Sequence, residues 1–160
     1  MDIILVVLRL IHIVSAFAWF GLGVTLTLYV VPAAVSAGDT GFRYLKSLFL
    51  NTAFAKVIPI VSGVTTLAGI LLYLVGNSAS HFSQTGNMVL GIGAAAGLIA
   101  TIHGGAVTGR ATRALGMALA KDGTPLAELN DLTAKLSTHA RLSLVLMVIA
   151  LVCMGSARYL

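Results

Sequence analysis

Three of the four histidines of this chain, His12, His103 and His139, stand within or beside long apolar runs. An ionisable side chain in a membrane-spanning segment is rare and normally faces a protein interior, so each is a candidate site. Imidazole supports two kinds of chemistry there. A neutral ring nitrogen is an axial ligand for haem iron. The same ring also makes hydrogen bonds that tie helices together in lipid. Arginine favours the first use, because a guanidinium pairs with a carboxylate such as a propionate. Arg9 stands three residues before His12 and Arg110 seven after His103, each on its histidine's helical face.

These residues define a candidate b-type haem site: His12 with His103 or His139 as axial ligands, and Arg9 and Arg110 as propionate partners. Trp19 shares the stripe of His12 and is a candidate cofactor-binding residue, or a packing or interface anchor. Helical rise places His12 roughly 13 Å and His103 roughly 22 Å below the outer edge of the hydrocarbon. His103 is close in level to His139, and His12 to Met147; joining His12 to His103 requires tilt or a shifted register. The competing reading of His12 is a hydrogen bond to a Ser, Thr or Tyr of a neighbouring helix. The glycines around His103 suggest tight packing, and His139, beside Thr138 and Arg141, suits a membrane interface. His81 reads as a solvated loop residue.

Other chemistries lack their residues. There is no His-x-x-x-His, no Glu-x-x-His and no cysteine pair, so no zinc or copper motif is present. The single cysteine, Cys153, precludes an internal disulfide and reads as a small core residue. All 5 acidic residues (Asp2, Asp39, Asp122, Glu128 and Asp131) lie outside the apolar runs, which removes a buried carboxylate relay. Gly91-Ile92-Gly93 follows no strand and carries no nucleotide signature. No inverted repeat of the transporter kind is evident. A formal charge of +5, scattered along the chain, does not make a nucleic-acid footprint.

The elements that must carry these residues are transmembrane helices. The chain is 58% hydrophobic and 9% charged, and its mean hydropathy is +1.00. About 20 apolar residues cross a bilayer, and four runs meet that length, at about 3–34, 53–75, 88–113 and 136–158. The expected fold is all-α, an integral membrane four-helix bundle forming a single transmembrane domain over 1–160. The first run is too long for a signal-peptide core and reads as a retained helix. The third is expected to continue as helix to Ala120. Lys121-Asp122-Gly123-Thr124-Pro125 then makes a turn, and a polar helical stretch from Leu126 leads into the fourth. Residues 38–46 read as part of the loop joining the first two spans.

Basic residues set an expected orientation. Arg43, Lys46 and Lys56 flank the first connection, and Arg110, Arg113, Lys121, Lys135 and Arg141 the third, whereas the second has none. The positive-inside rule places both termini outside, against the minor opposition of Arg9 and Arg158. The third span carries two Gly-x-x-x-Gly spacings, Gly93/Gly97 and Gly105/Gly109. These suit close helix packing, either within the bundle or against a larger membrane complex or a second copy.

Leu8-Arg9-Leu10-Ile11-His12-Ile13, Trp19-Phe20-Gly21 and Val30-Val31-Pro32-Ala33 resemble the first helix of small bacterial membrane proteins of the CopD-like and HemJ-like kind. Met154-Gly155-Ser156-Ala157-Arg158-Tyr159-Leu160 is similar to the close of a broad group of four-helix relatives. The resemblance implies a location in the bacterial inner membrane. Its HemJ-like side implies haem and protoporphyrinogen oxidation, and its CopD-like side copper uptake. Residue by residue it supports His12 alone. The expected function is therefore b-type haem binding for electron transfer or an oxidoreductase accessory role. The alternatives are a structural subunit of a membrane complex and a copper or small-solute permease.

Overall fold

Helix length divides this chain into a membrane part and a part outside it. The computed structural model describes residues 3–75 and 84–160, which are predominantly α-helical, with no strand among them. Helix α1 (Ile3–Val24) runs through a π-helical turn (Thr25–Val30) into α2 (Val31–Ser36). Helix α3 (Gly38–Asn51) leads to α4 (Phe54–Val75). Helix α5 (Thr85–His103) passes through a second π-helical turn (Gly104–Thr108) into α6 (Gly109–Ala120). Helix α7 (Leu126–Ser156) ends in a short 3₁₀ turn (Ala157–Tyr159).

Four continuous rods result, each long and apolar enough to cross a membrane: Ile3–Ser36, Phe54–Val75, Thr85–Ala120 and Leu126–Tyr159. The chain is an all-α, multi-pass membrane bundle. The 22-residue rod of α4 spans roughly 33 Å and just crosses the hydrocarbon. The other three hold 34, 36 and 34 residues, or roughly 50 Å each, so they overshoot. The excess gathers at the end that carries Arg43, Lys46, Arg113 and Lys121. There, Phe42, Leu45 and Phe49 of α3 pack on Leu115 and Leu119 of α6 and on Leu129 and Leu136 of α7. Leu45 and Leu115 are fully buried.

This distribution follows from the solvent. Hydrophobic burial drives packing only where water is the alternative, and lipid tails offer no such contrast. The basic end therefore has a dense aliphatic core. The membrane part has only a small cluster of Ala100, Leu144 and Met147, flanked by Trp19, Phe20 and Val24. Large apolar residues such as Val14, Phe17, Leu67 and Ile102 are exposed on the outer faces, as lipid contact requires.

Residues 38–51 differ from the expected loop by forming α3. Its apolar residues recur at i, i+3 and i+7, one buried face against α6 and α7. Gly38 takes φ +58° in the tight α2–α3 turn, and a Cβ on Gly41 would collide with the Ala34 backbone. Asp39 sits in the first turn, where its charge complements the helix dipole. The first π-helical turn falls where Pro32 cannot donate to Leu28, four residues back, so the widened turn absorbs a missing backbone bond. His81 and the rest of 76–83 lie outside the described residues.

Within the membrane the helices form two close pairs, α1 with α4 and α5 with α7. Gly93 sets the second pair: a Cβ there would lie 2.9 Å from Met154 Cγ, 3.0 Å from Cys153 Cβ and 3.2 Å from the Ala150 carbonyl. Gly97 faces Ala150 and Met154 more loosely, and Gly105 is exposed with nothing within 4 Å. Substituting Gly93 by Leu should therefore destabilise the protein by about 2 kcal/mol through overpacking. Gly105→Ala should stay within about 0.5 kcal/mol. Thermal unfolding in micelles measures both, and faster thiol labelling of Cys153 in the Gly93 variant reports the opened α5–α7 contact.

Candidate functional site

Among the described residues, three groups of polar side chains bridge the membrane helices. The first joins α1 to α4. His12 Nδ1 lies 2.8 Å from the Thr65 carbonyl oxygen. A carbonyl only accepts, so Nδ1 carries the proton and donates it. In the neutral ring the lone pair then belongs to Nε2. Thr65 also donates its hydroxyl to Ser15 Oγ at 2.9 Å, and Ser15 donates to the Ile11 carbonyl at 2.6 Å.

The local sequence permits this approach. Within α4 the Thr65 carbonyl faces the amide of Gly69, four residues on. A Cβ on Gly69 would lie 2.9 Å from His12 Cε1 and 3.1 Å from Nδ1. Glycine therefore opens the helix surface over the carbonyl, and the imidazole rests in the space. His12 is half-buried, while Arg9, one turn away, is exposed.

The second bridge joins the two helix pairs. Thr66 Oγ1 of α4 and Thr101 Oγ1 of α5 lie 2.8 Å apart, and Thr101 is also within 3.0 Å of the Gly97 carbonyl. The third bridge joins α5 to α7. His103 Nδ1 shares a hydrogen bond with Ser143 Oγ at 2.9 Å, and Thr108 Oγ1 lies 3.3 Å from the same hydroxyl. The π-helical turn Gly104–Thr108 lies between these two contacts on its own chain, and such turns re-aim side chains at functional positions. The rings of His103 and His139 lie 5.7 Å apart between centroids, with their planes at 57°.

The sequence-derived residues thus separate. His12 belongs to the α1–α4 pair, and His103 and His139 to the α5–α7 pair. Trp19 packs against the Ala100, Leu144 and Met147 cluster. Arg110 is exposed and shares a groove with His139. No group of three or more His, Cys, Asp or Glu is arranged to hold a metal ion among the described residues. The sequence reading missed Thr65 and Thr108, because Thr65 offers a backbone carbonyl and Thr108 gains its position from a π-helical turn. Comparison with protein-family models, curated proteins and solved structures gives no match for this chain.

A hydrogen bond between membrane helices averages about 0.6 kcal/mol and reaches about 1.7 in double-mutant cycles. The His103–Ser143 contact should exceed that average, because Ser143 is buried and also faces Thr108. A cycle of His103→Ala and Ser143→Ala, followed by reversible unfolding in bicelles, should give a coupling near 1 kcal/mol. Additive single and double variants would mean that the contact stabilises nothing.

Proposed function

We propose that this membrane bundle binds b-type haem with His12 as an axial ligand, and that it serves electron transfer or an oxidoreductase. The observation that carries the reading is the bond from His12 Nδ1 to the Thr65 carbonyl. A histidine that binds a metal through one ring nitrogen almost always donates the other to a carbonyl, carboxylate or water. This fixes the tautomer and orients the ring, leaving Nε2 with the lone pair that iron requires. Gly69 leaves the space beside the Thr65 carbonyl in which the ring rests.

The other residues fit supporting roles. Ser15 and Thr65 hold the histidine's two helices together. Arg9 lies exposed one turn nearer the terminus, forms no ion pair among the described residues, and can pair with a propionate. When bound, haem supplies reversible one-electron chemistry, while the chain binds and orients it in a site of low polarity. His103 and His139 are the other imidazoles among the described residues for a second axial position. Its lysines and arginines support a cytoplasmic position for the basic end.

Protein purified from haem-replete cells should show a Soret band that shifts on reduction with dithionite. His12→Ala should lose at least about 90% of that absorbance, equivalent to more than tenfold weaker binding. Gly69→Val, which fills the space beside the ring, should weaken it in the same direction with His12 intact. A colourless wild-type preparation, or full haem retention in His12→Ala, would reject the assignment. His103→Ala and His139→Ala, read by the same spectra, identify the second ligand.

A further inference from the structure

We propose that the groove between α6 and the first half of α7 is a binding site for one anionic phospholipid. The groove has a volume of about 310 Å³ and is lined by Arg110, Lys135 and His139 together with apolar residues of both helices. Its floor is smooth, because Ala106, Ala111 and Ala114 contribute only methyl groups, with Leu132 facing them.

The level of these residues fits a lipid. Arg110 is the first charge after the apolar run of α5, and on α7 Lys135 and Arg141 flank the start of the apolar run. Arg110 and Lys135 therefore stand where hydrocarbon gives way to headgroups. Ala106, Val107 and His139 lie on the side toward the bilayer centre, where acyl chains continue past the exposed Ile102 and Leu142. A phosphate at the two cations would leave its chains on this apolar surface.

Charge complementarity selects the anionic class. Arg110 forms no ion pair among the described residues, and it offers a planar set of donors suited to phosphate. Lys135 is paired with Asp131 at 2.7 Å, but this i,i+4 pair is exposed, at 64% and 61%, and such pairs are weak. An incoming phosphate can therefore share the ammonium. The two cations lie on the other helix pair from His12, and the lipid measurement needs no haem; His139 is the residue that the groove shares with the proposed haem site.

Native mass spectrometry of the full chain tests the site after incubation with equal amounts of phosphatidylglycerol and phosphatidylcholine. Each cation near an anionic headgroup contributes about fivefold in binding, so phosphatidylglycerol should be retained at least about tenfold better. Arg110→Gln and Lys135→Gln should each reduce its retention about fivefold and leave phosphatidylcholine unchanged. Both side chains are exposed, so the substitutions leave the packed core intact. Ala106→Trp should block retention by filling the floor with the charges in place, and Arg158→Gln should have no effect. Equal retention of the two lipids, or undiminished phosphatidylglycerol in the Arg110→Gln/Lys135→Gln variant, would overturn the proposal. So would inorganic phosphate that displaces the lipid completely, which would make this a free-anion site.

Discussion

Hydrocarbon gives a polar group no partner, and this constraint organises the whole membrane part. Every hydroxyl or imidazole placed there must find a protein atom, at a penalty of several kcal/mol if it fails. Among the described residues no buried side-chain nitrogen or oxygen lacks a hydrogen-bond partner. The partners are also what joins the helices: His12 and Ser15 to Thr65, Thr66 to Thr101, and His103 to Ser143. Each bond is modest, but together they specify which faces meet, a selection that leucine and valine cannot make in lipid.

Outside the hydrocarbon the logic reverses. Water returns as the alternative solvent, and packing there uses large aliphatic and aromatic side chains. The overshooting ends of α1–α2, α6 and α7 form a scaffold, and α3 closes it with Phe42, Leu45 and Phe49. The Lys46–Asp122 pair at 3.1 Å joins α3 to the α6–α7 turn, but its exposure leaves it a minor contributor. The anchored basic end and the hydrogen-bonded membrane part thus rest on different forces. Detergent and lipid composition should act mainly on the second.

Much of the fold was legible in the sequence, for physical reasons. Hydropathy marks the four spans because crossing a bilayer demands uninterrupted apolar length. The Lys121–Pro125 turn, and the helical continuation on either side of it, followed from turn chemistry and amphipathic spacing. Helix α3 was not read because Gly38, Asp39 and Gly41 resemble a loop. Its 14 residues draw their stability from a partner surface that the sequence does not display. The site was half legible. His12 and His103 stood out as ionisable groups inside apolar runs, so their interior direction could be inferred. The acceptor for His12 could not, since it is a backbone carbonyl uncovered by a glycine on another helix.

The haem reading rests on Thr65 accepting the Nδ1 proton of His12, which leaves the lone pair on Nε2. Solid-state ¹⁵N NMR of imidazole-labelled, haem-free protein in bilayers at neutral pH observes this directly, with His12→Gln used to assign the signal. In the neutral ring, Nδ1 should be protonated and hydrogen-bonded and Nε2 unprotonated. A neutral ring protonated at Nε2, with Nδ1 bare, would contradict this reading.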